Sequence, residues 1–423
     1  MKKFNSRFIK IFAVILGLFC VYFIFFTKKP AAAPVMEPVR FASSIPKTYF
    51  WDGEELVKIR ARLKQNDPAL QTSYERLMRE ADQALAGGSY SVTHKKNSPY
   101  DIHDFYSLAP YFWPNKWTKS KKPYWLRDGL VNPEAEGDPY DRTRYFTLLR
   151  SVQKLSLAYY FTNKDVYAEK VFSLIRVWFL DEATRMTPHF EHAQVIPGLT
   201  SGLSLGIIRG AELVQMLDAL ALCQPHPQWT EKDDSALRDW FRQYFTWVRG
   251  SFFGKVEYRM KNNHGTWYDA HTSAVALFLN DEKASREILS QSAERRIESQ
   301  ISSDGSQFLE MYRSRSWYYP IYNLRGLFAI ALQAERVGID LWHFEGSKNQ
   351  SLRAALDYLI PFAIQKREWT RAQIQEENDW VADMIPLLIT AAKKYNDPHY
   401  LEVIHQMPPF PEDHLMRLLY SAP

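Results

Sequence analysis

The chain has 423 residues, with 53 Lys and Arg against 48 Asp and Glu for a formal charge of +5, and 46% hydrophobic residues. That balance is ordinary for a globular protein; the mild positive excess suits a polyanionic partner, and the absence of a Lys/Arg cluster or recognition motif argues against nucleic acid. The two cysteines, Cys20 and Cys223, lie one in the N-terminal apolar run and one in the body, which excludes a disulfide within the body and a cysteine-based zinc site.

At the N-terminus, Lys2, Lys3, Arg7 and Lys10 precede residues 11–26, which are apolar apart from the Tyr22 hydroxyl and the Cys20 thiol. Counted from Phe8, the run reaches the length of about 20 residues that a membrane-spanning helix needs. The positive flank predicts an inside N-terminus with the body exported to the periplasm. Residues 1–29 are therefore expected to be an uncleaved signal-anchor, or else a signal peptide, and 30–46 a Pro/Ala-rich linker. The folded body is expected over 47–423.

Within that body, apolar residues recur at helical spacing over 54–64, 72–85, 146–161, 165–180, 205–222, 233–248, 267–279, 283–300, 322–337, 351–365 and 381–395. Asp165 is expected to cap its helix. Strand alternation is scarce, so the class is all-α. Short joins between helices suggest antiparallel hairpins in a bundle, a solenoid or a closed toroid. No fixed sequence period is visible, which favours a toroid or an irregular array. Between the second and third helices, residues 87–141 are dense in Pro, Gly, Asn and aromatics. A segment of that length is expected to be a structured wall of a cleft, presenting Tyr106, Tyr111 and Trp113.

Two stretches carry chemistry. In Lys261-Asn-Asn-His-Gly-Thr-Trp-Tyr-Asp-Ala-His271, a helix beginning near Asn263 sets Asn263 beside Trp267 and His264 beside Tyr268. The amide can bond a carboxylate, the imidazole can move a proton and the rings can stack on a sugar, a set suited to an anionic saccharide. The competing reading makes Asn262 or Asn263 an N-cap and puts the aromatics in the core. In the second stretch, 303–320, Pro320 is expected in the first turn of a helix, with Tyr319 at its mouth. Arg313 and Arg315 offer guanidinium groups that can grip a carboxylate, or pair with Glu310 or surface acids. His192 and Gln194 are further cleft candidates. Glu376, Glu377 and Asp379 could supply paired carboxylates for glycoside hydrolysis, with a solvated helix cap the plainer reading. His264 and His271, seven apart, lack a third metal ligand, so no metal is expected.

Ser107-Leu-Ala-Pro-Tyr-Phe-Trp-Pro-Asn115, Asp128-Gly-Leu-Val-Asn-Pro-Glu134, His192-Ala-Gln-Val-Ile-Pro-Gly198, Asn262-Asn-His-Gly-Thr-Trp-Tyr-Asp269 and the run from Asp304-Gly-Ser-Gln307 through Arg315-Ser-Trp-Tyr-Tyr319 together resemble the alginate lyase family of polysaccharide lyases. The resemblance implies an incomplete α/α toroid whose cleft holds a uronic acid polymer, alginate first among them. It implies cleavage of the 4-O-glycosidic bond by β-elimination, with no redox cofactor. Asn263 would help neutralise the substrate carboxylate, and His264 would act as the base or assist it. Tyr319 would be the acid at the leaving oxygen, with the base role also open to it, and one arginine of the Arg313/Arg315 pair would support the carboxylate or Tyr319. Trp267, Tyr106, Tyr111, Trp113, His192 and Gln194 would line the substrate path. A lyase for another polyuronate such as glucuronan, and a membrane-tethered polysaccharide-binding protein without turnover, are the alternatives.

Overall fold

A computed structural model describes residues 32–40, 42–374, 380–409 and 411–420. The expected signal-anchor at 1–29 and the acidic run around Glu377 and Asp379 lie outside the described residues. Among the described residues no helix is long and apolar enough to cross a membrane.

The body is mostly helical, as the apolar spacing predicts. Helices Arg142–Thr162, Gly210–Cys223, Asn263–Phe278, Tyr318–Glu335 and Trp380–Lys394 pack each on the next in that order. Neighbours flank this row: Pro68–Ala86 and Asp165–Ile175 lie on Arg142–Thr162, Glu282–Ser292 lies on Asn263–Phe278, and Leu352–Ala363 lies on Tyr318–Glu335. The first four row helices are only weakly amphipathic because they are buried on several sides. In Asn263–Phe278 all but two of the sixteen residues are buried, so its sequence reads as nearly continuous apolar and small residues rather than a stripe.

Three differences from the sequence reading have identifiable physical causes. Residues 165–180 and 283–300 each start as an α-helix but open into a wider π turn, at Arg176–Leu180 and Ala293–Glu298. Such turns follow tertiary demands that periodicity does not record; the second brings two consecutive arginines, Arg295 and Arg296, onto one carboxylate, Asp269. Lys164, not Asp165, holds the cap position, and Asp165 is the first helical residue, where its charge still favours the positive end of the helix. The segment expected as a linker is partly docked: Met36 donates to the Gly338 carbonyl, Val39 to Glu335 and Asp340 to Pro34. The Glu335 carbonyl, at the end of Tyr318–Glu335, accepts from both Val39 and Gly338, and the turn after the helix supplies the other two bonds.

The long segment before Arg142 is ordered, as expected, and contains three of the four short strands among the described residues. β1 (Tyr106–Leu108) pairs in parallel with β4 (His192–Val195), with Tyr106 opposite His192. β2 (Phe112–Trp113) and β3 (Trp125–Leu126) form an antiparallel hairpin. A buried ion pair fixes the base of this wall. Lys95 Nζ lies 3.1 Å from Asp141, both side chains fully buried, and also donates to the carbonyls of Val92, Ile102 and Asp104. Burial pushes the Asp141 carboxyl up to about 7 against the pull of Lys95. An ammonium with all its protons placed is what makes such burial tolerable.

Candidate active site

The two chemical stretches meet at the first turns of two adjacent row helices. Asn262 caps the helix Asn263–Phe278, its side chain accepting from the His264 N–H at 3.2 Å. Asn263 and His264 are therefore in the first turn, where the helix dipole favours negative charge. Asn263 is buried, and Glu310 receives its backbone N–H at 2.5 Å and its side-chain amide at 2.6 Å. Burial raises the Glu310 carboxyl above its usual range, while the Asn263 donors and the nearby Arg313 and His264 oppose the shift. His264 Nδ1 stands 2.6 Å from Glu257 Oε1, and its side chain keeps 14% exposure.

Tyr319 is the second residue of the helix Tyr318–Glu335 and Pro320 the third, as the sequence predicts. Its hydroxyl lies 3.1 Å from the Tyr111 hydroxyl and accepts from Arg313 Nη2 at 3.0 Å; the guanidinium carbon sits 4.1 Å from the ring centre. Burial pushes the Tyr319 phenol well above its ordinary value, Arg313 pulls it down, and Tyr111 adds to the rise. The phenol is thus protonated at neutral pH.

Arg313 is aimed by Asp128, which takes bonds of 2.6 and 3.2 Å from its guanidinium. Asp128 also accepts from the backbone N–H and hydroxyl of Ser314. Burial raises its carboxyl, but these donors outweigh it and hold the group below the usual carboxylate range. Gly129 follows at φ +77°, and a Cβ there would stand 2.5 Å from the Ser314 hydroxyl, so the turn that delivers Asp128 requires glycine.

Asn263 bonds Glu310, which also feels the charges of Arg313 and His264, while Tyr319 joins Tyr111 to Arg313 and through it to Asp128. The chemistry of the site is a proton donor (Tyr319), a guanidinium bonded to that phenol and a partly exposed imidazole. Among the described residues no cluster of His, Cys, Asp and Glu could hold a metal ion.

A family model described as alginate lyase matches residues 91–369. An alginate lyase from Bacteroides ovatus is 31% identical, with a TM-score of 0.85, over 89% of this chain and 100% of its own. This chain belongs to the alginate lyase family. It is a polysaccharide lyase with the helical fold of that family. Alginate lyase A1-III from Sphingomonas species A1 shares the fold at 18% identity and a TM-score of 0.54, over 90% of this chain and 98% of its own. A variant of A1-III complexed with tetrasaccharide aligns with a TM-score of 0.55 at 18% identity, over the same shares of both chains. No curated protein matches this chain.

Other expected site residues of this alginate lyase family member fall elsewhere. Trp267 is only 2% exposed, packed between Phe50 and Tyr322; it is core, and its expected role in sugar stacking is corrected. Its ring lies between neighbouring side chains inside the helix row rather than at a surface. Tyr106 is likewise buried, its ring against Tyr100 and Tyr140, so it builds the wall from within. Arg315 lies 4.3 Å over Tyr318 and 6.0 Å from the Tyr319 ring centre, so Arg313 is the arginine bonded to the Tyr319 hydroxyl. His192 stacks on Tyr100 at 3.6 Å and approaches Asp104, while the Gln194 amide bonds the Leu205 carbonyl; both brace β4. Trp113 bonds the Leu130 carbonyl and carries Arg127 over its ring, half-buried beside Tyr111. His271 is wholly buried against Tyr244, which removes it from any metal pairing with His264.

Asp128, Glu310 and Glu257 escaped the sequence reading as site residues. Asp128 opens the run Asp128-Gly-Leu-Val-Asn-Pro-Glu134, but its partner is 185 residues away. Glu310, one possible partner of the arginines by sequence, bonds Asn263 across 47 residues. Nothing in local spacing marks either contact.

Proposed function

We propose that this enzyme cleaves alginate by β-elimination at the 4-O-glycosidic bond, with Asn263, His264, Arg313 and Tyr319 as its working groups. The observation that carries the proposal is the Tyr319 hydroxyl bonded to a guanidinium that Asp128 fixes. The C5 proton of a uronate becomes acidic only when the carboxylate charge is neutralised, so that negative charge can move onto it. Arg313 and the positive end of the Asn263 helix supply that positive environment. His264 takes the C5 proton, the C5–H electron pair forms the C4–C5 double bond, and the C4–O4 bond breaks. Tyr319 gives its proton to the departing O4. The products are an unsaturated uronate and a new chain end.

The proposal extends to two features. The helical hairpins form an incomplete α/α toroid, with the row from Arg142–Thr162 to Trp380–Lys394 as its inner layer and residues 47–423 as one catalytic domain; the sequential packing of the row helices supports this. Residues 1–29, basic then apolar, are a signal-anchor that tethers the body in the periplasm. Release of the protein from membranes by salt alone would count against that tether.

The purified protein is offered alginate, polymannuronate, polyguluronate and glucuronan separately, and the ultraviolet absorbance of the unsaturated product is followed. Absorbance should rise with alginate and be lost in His264→Ala and Tyr319→Phe variants that keep the wild-type melting temperature. A rise with glucuronan alone would replace the substrate, and near-normal turnover in both variants would sink the assignment of roles.

A further inference from the structure

Glu257 is a carboxylate with almost nothing else to do. Its side chain is fully buried, one oxygen faces His264 Nδ1 at 2.6 Å, and the other is buried without a hydrogen-bond partner. A buried carboxylate oxygen left unsatisfied is costly, so this placement is one that packing and stability alone do not favour. An ionised carboxylate only accepts, which requires the proton of the 2.6 Å contact to sit on Nδ1.

The backbone around the pair is tied to a single reference. Glu257 lies near the end of the short helix Phe252–Tyr258, which Ser251 caps through the Gly254 N–H. The turn between Glu257 and the Asn262 cap is held by Arg296, which donates to the carbonyls of Tyr258 at 2.7 Å and Met260 at 2.6 Å. Arg296 is itself gripped by Asp269 through bonds of 2.8 and 3.0 Å. Asp269 sits on the same helix as His264, so both halves of the pair are fixed against one element. Gly265 closes the arrangement: a Cβ there would run into the Met260 carbonyl and the Arg296 guanidinium, so the turn can lie directly on the helix. The other nearby carboxylate, Glu310, is occupied by Asn263 and leaves the imidazole to Glu257.

We propose that Glu257 is a positioning residue for the elimination, holding His264 in the tautomer protonated on Nδ1 so that Nε2 presents its lone pair to the substrate. This rests on the reading of His264 as the base. Glu257 touches no substrate; it acts by keeping the imidazole in one tautomer and one orientation.

The test compares wild type, His264→Ala and Glu257→Gln as full chains. Glutamine keeps the volume but can turn its amide N–H toward Nδ1 and favour the opposite tautomer. In nitrogen-15 NMR the His264 signals, assigned by their loss in the His264→Ala variant, should show the Nδ1–H form in wild type and gain the Nε2–H form in Glu257→Gln. For Glu257→Gln, kcat on alginate should fall on the order of 10²-fold, the lower end of what a positioned base contributes, with KM and melting temperature nearly unchanged. An Nε2–H tautomer in wild type, or full kcat in Glu257→Gln beside an inactive His264→Ala, would overturn the proposal while leaving His264 as the base. Full activity in His264→Ala would instead remove the base itself.

Discussion

At the scale of single residues, Arg313 and Arg315 differ sharply although they are two positions apart. Arg313 bonds the Tyr319 hydroxyl and is clamped by Asp128, whereas Arg315 lies over Tyr318. Arg313→Ala should lower kcat by roughly 10²- to 10³-fold, the loss seen when one preorganised donor to developing charge is removed. Arg315→Ala should stay within about tenfold of wild type on the same comparison. Steady-state rates on alginate for the two variants decide this, and equal losses would show that Arg315 also reaches the reacting groups. The high phenol pKa of Tyr319 has a signed consequence. An acid that must be protonated works below its pKa, so activity should hold through the mildly alkaline range as far as Tyr319 is concerned. Loss of Arg313, whose charge pulls that pKa down, should move the Tyr319 limb to still higher pH.

At the scale of elements, the site is delivered by first turns and one tight loop. The Asp128–Gly129 turn carries the clamp for Arg313, and Gly129 sits at φ +77° with the Ser314 hydroxyl where a side chain would go. Gly129→Ala should cost about 1–3 kcal/mol through strain at positive φ, read as a lower denaturation midpoint, and should depress kcat by displacing Asp128. The staple beneath the Asn263 helix is the second element-level dependence. Asp269 receives both Arg295 and Arg296, with Arg296 wholly buried. Asp269→Ala strands that buried guanidinium and should cost about 3–5 kcal/mol; a melting temperature near wild type would show that the turn at Tyr258–Met260 is held by other means.

Across the whole molecule, buried titratable groups set how stability follows pH. His271 is buried at the centre of the helix row, and burial, partly offset by the Trp267 carbonyl, lowers its pKa from 6.5 to about 4. A folded-state pKa below the unfolded one means the unfolded chain binds the extra proton first. The neutral ring therefore contributes its full stability above pH 6.5 and loses it as pH falls toward 4. The shift corresponds to about 3 kcal/mol at 1.36 kcal/mol per unit. Asp141 and Asp218, both raised by burial to about 7, act in the opposite sense, so the His271 contribution is isolated by difference. The stability gap between wild type and His271→Gln, from urea unfolding, should shrink between pH 7 and pH 5; a constant gap would show that His271 does not titrate on unfolding.

Read alone, the sequence already determined the all-helical class, most helix positions, the order of the wall segment and the joint presence of Asn263, His264, Tyr319 and an arginine. Those are local properties: apolar spacing along a helix, Pro320 in a first turn, an Asn cap before a buried run, and motifs in family order. Tertiary structure alone decided which aromatic rings are buried, since Trp267 and Tyr106 look the same in sequence as the half-buried Tyr111. It also chose Arg313 over Arg315, because the choice depends on Asp128, 185 residues away. Glu257 and Glu310 belong to the same class. Their partners are set by a turn that reverses the chain and by a contact across 47 residues, and burial, which gives these carboxylates their effect, is a property of the packed whole that no single stretch of chain contains.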